Sequence, residues 1–460
     1  MIAAILLLAR LTTQPKLDPR MQGAYREERA GWVCLHIQGP PRQLGFQNGS
    51  LASAEFDDFN KVLKLYLEKT TEKDWPWYRE IARTLFWPKL SREYREEIQG
   101  IAEGLQYKGY TYDYIDVTAQ NAWIEISDYY LPWMIAQKKT VGKRRQSHAP
   151  ESCSAIIATG NQTADGKIVV CHTAWDDYLP GQRMNMIIDM KPEKGNRVIM
   201  DSMPGLIHSL TDFYVNSAGL IVTETTIGDF TSFTPTKTPE FERVRRAIQY
   251  GNNIDEFVKL ISSGDNGGYA NVWLIGDTKT NEIGKLELGL KNITFYRSHD
   301  GAYDSENFID DPKMIREETT TNLWTFPNTC SDRRARWLFL MQQDMGKMDA
   351  EKAEGYMGDH FNQPAQKILM GGLVLCSHLD DTTTPEIPGA SAPRPFGSNQ
   401  AKVCTTDLAR GMSFWARMGH GCGTPFAFAP WVKNNPSYAW QAPLFRDLKD
   451  NPWTLWKSKW

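Results

Sequence analysis

Residues 151–178, ESCSAIIATGNQTADGKIVVCHTAWDDY, are the stretch that decides the fold of this chain. Two apolar runs, 155–158 and 168–170, flank a polar turn around Gly160. This pattern predicts a β-hairpin. Cys153 is the first residue of its first strand, and a basic segment containing Gly and Pro precedes it. A thiol placed there is what an N-terminal nucleophile made by self-cleavage would need.

Composition sets broad limits on function. With 460 residues the chain is long enough for one large domain or two ordinary ones. A net charge of -3 gives no global electrostatic basis for binding nucleic acid or an anionic membrane, so no nucleic-acid partner is expected. We interpret the basic run at 138–145, KKTVGKRR, as a solvated loop. No apolar run is long enough to cross a bilayer, so no integral membrane segment is expected.

Seven cysteines leave at least one thiol free if the others pair. The chain has no CxxC pair, and Cys404 and Cys422 lack histidines at zinc-ligand spacing. We therefore expect no metal site and no cofactor.

The first residues, MIAAILLLARL, form a short apolar segment without a basic start. We interpret residues 1–20 as a leader or weak secretory signal. This predicts a secreted, periplasmic or lumenal protein, with a cytoplasmic location as the alternative.

The sequence pattern changes near residue 150. Before it, a strand at 32–37 is followed by helical patterns that start near Ser50 and after Ser91, and by an apolar segment at 114–126. Ser91 is the expected N-cap of the second helix, and Gly104 its expected end. The segment 137–150 is predicted to be an exposed linker.

Beyond Cys153, short strands rich in β-branched and aromatic residues alternate with helical patterns. The helices are expected at 239–250, 254–262, 332–343 and 350–358. Antiparallel strands with segregated helices indicate an α+β layered domain.

The hairpin also predicts a reactive corner. Two strands joined by a short turn bring their outer ends together, so His172, Trp175 and Asp176 are expected near Cys153. A thiol, an imidazole, an indole N–H and a carboxylate form a plausible acyl-transfer site. Cleavage of the Ser152–Cys153 bond would add a general base, because a free α-amino group titrates near ~7.7–8.0 and a thiol near ~8.5.

Several segments resemble the phospholipase B-like family of N-terminal nucleophile hydrolases, which is related to the penicillin acyl-transferase peptidases. They are CSAIIAT, CHTAWDDY, DSMPGLIHSLTDFYVNSAGLIVTETT and YANVWLIGDTKTNEI, with GPPRQLGFQNGSLASAE and CSDRRARWLFL as further matches. The resemblance covers roughly residues 30–430. It implies a four-layer αββα sandwich of antiparallel sheets with a largely helical N-terminal segment. It also implies a pro-segment at 21–152, a catalytic domain at 153–460, and cleaved chains that stay associated.

The resemblance assigns site residues by position. Cys153 matches the family nucleophile, and His172 and Trp175 match its His-x-x-Trp pair. Thr225 or Thr226 matches a site threonine, and the sequence alone does not distinguish them. Asn271 matches the asparagine that donates to the oxyanion.

Other positions are less sharply assigned. Arg297 and Arg333 are the candidates for the family arginine. Asp176 and Glu224 are expected to contact substrate.

The sequence leaves three functions open. The first is an autoprocessed hydrolase that cleaves an ester or amide bond of a lipid or N-acyl substrate. The second is an acyltransferase or amidase of the penicillin acyl-transferase type. The third is a catalytically silent binding protein with the same fold. A serine esterase is disfavoured because no GxSxG motif is present.

Overall fold

The computed structural model describes residues 18–137, 153–321, 328–381 and 393–460. Most of the predicted leader, the basic run, most of the predicted linker and Ser152 lie outside the described residues.

The strands are numbered in chain order. They are β1 Tyr25–Arg29, β2 Trp32–Gly39, β3 Cys153–Thr159, β4 Val169–Asp177, β5 Met186–Pro192, β6 Val198–Ser202, β7 Phe213–Asn216, β8 Leu220–Thr226, β9 Asn271–Asp277, β10 Glu282–Leu288, β11 Ile293–Ser298, β12 Gly301–Ser305, β13 Phe361–Asn362, β14 Lys367–Ile368, β15 Phe396–Thr405, β16 Ser413–Met418 and β17 Thr454–Lys457.

The α-helices are numbered in the same way. They are α1 Pro41–Leu51, α2 Ser53–Thr71, α3 Trp75–Ile81, α4 Arg92–Tyr107, α5 Tyr114–Asn121, α6 Leu131–Gln137, α7 Tyr178–Gly181, α8 Glu240–Tyr250, α9 Ile254–Ser262, α10 Pro312–Glu318, α11 Thr329–Gln343, α12 Ala350–Met357, α13 Thr406–Arg410 and α14 Phe428–Asn434.

Most strands form two large sheets. A nine-stranded sheet has the order β1-β2-β5-β6-β7-β8-β9-β10-β11, and a six-stranded sheet has the order β12-β3-β4-β15-β16-β17. Within the described part of the chain, β2 and β5 form the one parallel pairing between strands, and the other pairings are antiparallel. The predicted mixed α and β architecture with antiparallel sheets is therefore confirmed.

Each sheet is covered by apolar side chains on both faces. Between the sheets, Ile157 and Val170 share a core with Ile221 and Leu274. The outer face of the larger sheet packs on α8 and α9, and that of the smaller sheet packs on α11 and α12. Helices α2 to α5 form a further core, to which Met203, Leu206 and Phe241 also contribute. Such two-sided burial explains why many strands read as continuous apolar runs.

Two details of α4 differ from the prediction. Ser91 occupies the N-cap position, but its side chain makes no capping hydrogen bond. The helix continues past Gly104 to Tyr107. A Cβ at Gly104 would lie 2.3 Å from the carbonyl oxygen of Phe46, so this glycine permits close packing against α1 and does not end the helix.

Candidate active site

The predicted hairpin is present as β3 and β4. Cys153 is opposite Ala174 in this pair, and Ala155 is opposite His172. Cys153 is the first residue of β3, as the hairpin pattern predicted, and its side chain is buried. Antiparallel pairing therefore brings the start of one strand beside the polar end of the other.

Three reactive side chains converge at this corner. The Sγ atom of Cys153, a ring nitrogen of His172 and a carboxylate oxygen of Glu224 all lie within 4.8 Å of one another. Burial, and then the nearby Glu224, raise the pKa of the Cys153 thiol well above its ordinary value. Burial, and then the positive Lys402, hold the pKa of His172 well below its ordinary value. The thiol and the imidazole are thus both neutral near pH 7.

Lys402 is on β15, opposite His172 in the sheet. Its ammonium group lies 2.8 Å from a carboxylate oxygen of Asp201, and both side chains are fully buried. The hydroxyls of Ser209 and Thr211 also donate to Asp201. This hydrogen-bonded network holds the Lys402 ammonium group in place next to His172.

The main chain of Cys153 is held by Asn307 and Arg333. The backbone nitrogen of Cys153 donates to Oδ1 of Asn307 at 3.4 Å. Arg333 donates to the carbonyl oxygen of Cys153 and, at 2.9 Å, to the same Asn307 oxygen. The guanidinium carbon of Arg333 also lies 4.3 Å from the centre of the Trp175 ring, within the range of a cation–π contact.

Of the two candidate arginines, only Arg333 lies near Cys153. Arg297 is exposed on β11 and pairs with Glu282 and Asp255. The aromatic and backbone contacts of Arg333 depend on α11 packing against the smaller sheet, which one sequence does not reveal.

The two candidate threonines have different surroundings. Thr226 lines the cavity beside Cys153. The hydroxyl of Thr225 instead lies 2.5 Å from that of Ser305 and accepts from the backbone nitrogen of Asn307 at 3.1 Å. Consecutive strand residues point to opposite faces, so only one of the two reaches the cavity.

Asn271 is the first residue of β9 and is paired with Thr226. It is fully buried, and neither its amide nitrogen nor its amide oxygen has a hydrogen-bond partner among the described residues. The same holds for both ring nitrogens of His172 and for the indole nitrogen of Trp175. Buried polar atoms are normally paired, so these groups are available to form hydrogen bonds with a ligand.

A cavity of about 30 Å³ lies next to Cys153. Its lining combines apolar groups with two acids, and consists of Ile124, Asp128, Tyr129, Cys153, Ala174, Trp175, Asp176, Met184, Leu210, Thr211, Thr226 and Tyr269. Burial raises the pKa of Asp128 to about 7. Burial, and then the neighbouring Asp177, raise the pKa of Asp176 well above its usual range. The predicted substrate contact Asp176 therefore lies in the cavity wall.

The backbone is strained on one side of this cavity. Leu210 has φ +72°, Asp212 has φ +44° and Tyr269 has φ +44°. Each such residue costs about 1–3 kcal/mol, and they persist only where the surroundings enforce them. The hydroxyl of Tyr269 lies 2.8 Å from the Leu210 carbonyl oxygen and 3.3 Å from a Glu224 oxygen. Burial, and then repulsion from Asp212, raise the pKa of Glu224 well above its usual range.

Sequence reasoning did not find four residues around Cys153: Asn307, Lys402, Asp128 and Tyr269. Lys402 is on a buried strand of mixed polar and apolar residues that was not predicted. Asn307 is in a short segment without any pattern, so only the folded chain reveals its contact with Cys153.

A second set of side chains suited to metal binding lies apart from Cys153. Ligand atoms of His360, Cys376, His378 and Cys422 all lie within 4.8 Å of one another. Sequence spacing predicted no metal site because these residues come from three separate segments of the chain. Only the tertiary structure brings these four side chains together.

Comparison with known proteins identifies a family. The family model described as Phospholipase B matches residues 50–350. An uncharacterised protein of Archaeoglobus fulgidus is 24% identical over 388 residues, which cover 75% of this chain and 62% of that protein.

Two animal proteins match a shorter part. A phospholipase B of Crotalus adamanteus is 32% identical over 153 residues, covering 31% of this chain and 27% of that protein. A phospholipase B-like 1 of Bos taurus is 28% identical over 137 residues, covering 28% of this chain and 25% of that protein. The chain thus matches less than two thirds of the length of each of these relatives.

The family model spans more than half of the chain. The chain belongs to the phospholipase B family. Among the described residues, no helix has both the length and the apolar character needed to cross a membrane.

Proposed function

We propose that this protein is an autoproteolytically activated cysteine hydrolase that cleaves an acyl ester or amide bond of a lipid or N-acyl substrate. One observation carries the proposal. Cys153 begins a buried strand with His172 and Glu224 within 4.8 Å, beside a cavity and unpaired polar groups. Family membership supports the lipid-hydrolase class, and the nucleophile chemistry suits N-acyl amides equally well.

The proposed maturation uses the thiol of Cys153 on its own preceding bond. Sγ forms a bond to the carbonyl carbon of Ser152, the C–N bond to Cys153 breaks, and the thiol proton passes to the departing nitrogen. Water then hydrolyses the thioester, which leaves a carboxylate on Ser152 and frees the thiol. Arg333 and Asn307, which hold the main chain of Cys153, would keep the strand in place.

Turnover would use the new α-amino group as the general base. The amine takes the Sγ proton, the thiolate attacks the acyl carbonyl carbon, and the side-chain amide of Asn271 donates to the oxyanion. Loss of one such donor typically costs about 10²–10³ in rate. The amine proton passes to the leaving group, and water then hydrolyses the acyl–cysteine bond.

The proposed fold is the four-layer αββα sandwich of N-terminal nucleophile hydrolases. It is supported by the shared core between the two sheets and by the helices on their outer faces. The proposed domains are a pro-segment at 21–152 and a catalytic domain at 153–460. Strand β2 lies before Cys153 and pairs with β5 after it, so the cleaved chains would stay associated through a sheet.

The size of the cavity limits the substrate proposal. About 30 Å³ holds little more than one or two waters, whereas ligand sites usually enclose about 300–1,000 Å³. An acyl substrate would therefore require movement of lining residues. Three of the lining residues, Ile124, Asp128 and Tyr129, precede the proposed cleavage site in the chain. Cleavage of the Ser152–Cys153 bond would therefore permit that movement.

The experiment is N-terminal sequencing of the purified protein. We expect two fragments of about one third and two thirds of the chain, with Cys153 at the start of the larger. Cys153→Ala should give one uncleaved band and background activity on phospholipids, N-acyl amides and N-acyl amino acids. Cys171→Ala is the matched control, because Cys171 is a buried thiol on the facing strand with its side chain in a different core.

An intact wild type at mildly acidic and neutral pH would overturn the maturation step. Cleavage without hydrolysis of any of the three substrate classes would favour an acyltransferase or a silent binding protein. Transfer of the acyl group to an added amine separates those two alternatives.

A further inference from the structure

The strongest unassigned feature is the cluster His360, Cys376, His378 and Cys422. His360 follows α12, Cys376 and His378 follow β14, and Cys422 follows β16. Cys376 and His378 are buried, and the other two are partly buried. Two thiols and two imidazoles from three separate segments therefore converge on one point.

The distances fit a tetrahedral metal. Zinc binds sulfur at about 2.3 Å and histidine nitrogen at about 2.0–2.1 Å, which places neighbouring sulfur and nitrogen ligands about 3.6 Å apart. Nε2 of His378 lies 3.6 Å from Sγ of Cys376 and 3.3 Å from Sγ of Cys422. Both separations are close to this value.

The unpaired state of His360 gives a second argument. Both of its ring nitrogens are buried, and neither makes a well-formed hydrogen bond with a described residue. One of them is nevertheless within 4.8 Å of both sulfurs and of His378. A metal ion would satisfy this nitrogen, whereas a disulfide between Cys376 and Cys422 would leave it unpaired.

We propose that His360, Cys376, His378 and Cys422 bind one structural zinc ion. Two cysteines and two histidines are a common zinc ligand set, and soft thiolates disfavour calcium and magnesium. Four protein ligands leave no open position, so the ion stabilises the fold and takes no part in the reaction.

The surroundings support the ligands. The backbone nitrogen of Thr424 donates to Sγ of Cys422 at 3.4 Å, as expected beside a thiolate. A carboxylate oxygen of Asp380 lies within 4.8 Å of a ring nitrogen of His378. A Cβ at Gly421 would lie 2.0 Å from the carbonyl oxygen of Met357, so only glycine lets this loop approach α12.

The zinc site connects to the active site through Tyr178. This residue begins α7 directly after β4, the strand that carries His172 and Trp175. Its hydroxyl donates to Asp380 at 2.5 Å. The ion would thus hold residues 376–380 against the end of the hairpin of β3 and β4.

The test is the metal content of the full-length protein, measured by inductively coupled plasma mass spectrometry after purification under reducing conditions. We expect about one zinc per chain in the wild type and a loss of most of it in Cys376→Ser, Cys422→Ser and His360→Gln. The matched controls are Cys404→Ser, a buried thiol elsewhere, and His299→Gln, an exposed histidine, and both should retain zinc.

Cobalt substitution of the wild-type protein tests the site even if the variants fail to fold. Wild-type protein stripped with a chelator should melt at lower temperature, recover with added Zn²⁺, and with Co²⁺ show the intense visible bands of a tetrahedral thiolate site. Wild-type protein without zinc and without such bands would overturn the proposal. A Cys376–Cys422 disulfide that persists in reductant would also overturn it. Cys153→Ala should retain zinc, which separates this proposal from the catalytic one.

Discussion

The backbone nitrogen of Cys153 donates a hydrogen bond to Oδ1 of Asn307 at 3.4 Å. Arg333 donates to the same oxygen at 2.9 Å, and Nδ2 of Asn307 donates to the carbonyl oxygen of Thr226 at 2.7 Å. Asn307 therefore joins β3 to β8, the strand whose last residue, Thr226, also lines the cavity. Under the proposed function, its oxygen faces the nitrogen that becomes the general base.

Asn307→Gly should lower kcat/KM by about 10- to 100-fold, because it removes the acceptor of a hydrogen bond from a charged amine. Glycine suits this position, since Asn307 has φ +69°. Asn307→Asp retains an acceptor but adds a negative charge, which stabilises the ammonium form. The acid limb of the kcat/KM–pH profile of Asn307→Asp should therefore lie at higher pH than that of the wild type. An unchanged limb would argue against the α-amine as base, and exposed Asn434→Gly is the control.

The threonine pair offers a matched comparison. Thr226→Val should lower kcat/KM by about 10-fold with normal maturation, because its hydroxyl reaches the cavity. Thr225→Val should instead slow maturation, because it loses contacts to Ser305 and the Asn307 backbone. Gel analysis of cleavage and steady-state kinetics separate the two effects. If Thr225→Val lowers kcat/KM and Thr226→Val slows maturation, the wall of the cavity has been wrongly identified.

The buried ion pair between Lys402 and Asp201 should be essential for stability. Lys402→Met leaves an unpaired carboxylate and should reduce the free energy of unfolding by about 3–5 kcal/mol. Adding Asp201→Asn should recover part of this loss, because the remaining charge is removed. Urea denaturation measures both variants, with exposed Lys433→Met as control. Strictly additive losses would mean that the two side chains do not interact.

Asp128 should make stability depend on pH. Its pKa is raised to about 7 by burial, so the folded state holds a proton that the unfolded state releases above pH ~4. Its contribution to stability is therefore present below pH ~4 and is lost as the pH rises towards about 7.

Asp128→Asn should remove this dependence. The variant should be about 2 kcal/mol more stable than the wild type at pH 8 and similar to it at pH 4. This difference is smaller than the full pKa shift would give, because Asp128 is partly exposed. Unfolding curves at both pH values test this, and exposed Glu68→Gln should show no such difference. A constant difference at the two pH values would contradict the assignment.

Enlarging the cavity should change acyl-chain preference under the proposed function. Ile124→Ala removes apolar volume from its wall and should raise kcat/KM for long acyl chains relative to short ones by several-fold. The ratio for two chain lengths is independent of the amount of active enzyme, so a loss of stability does not affect it. If the ratio of kcat/KM values for long and short chains is unchanged, the acyl group does not bind beside Ile124.

Local sequence patterns predicted much of the fold. The hairpin of β3 and β4 follows from two apolar runs around a polar turn, and α9 begins and ends as predicted. Strands β15 to β17 were not predicted, although β15 lies beside β4 and carries Lys402. The place of β15 in the sheet depends on pairing with residues more than 200 positions away, which no local pattern encodes. Strands β16 and β17 then pair with β15 and β16.

The sequence by itself determined the candidate nucleophile and its hairpin partners. Cys153, His172 and Trp175 are close in the chain, and a short turn is sufficient to bring them together. Only the tertiary structure placed Arg333 and Asn307 on the main chain of Cys153, distinguished Thr226 from Thr225, and gathered two cysteines with two histidines. These contacts join segments far apart in the chain, because packing of sheets and helices sets them and sequence spacing does not.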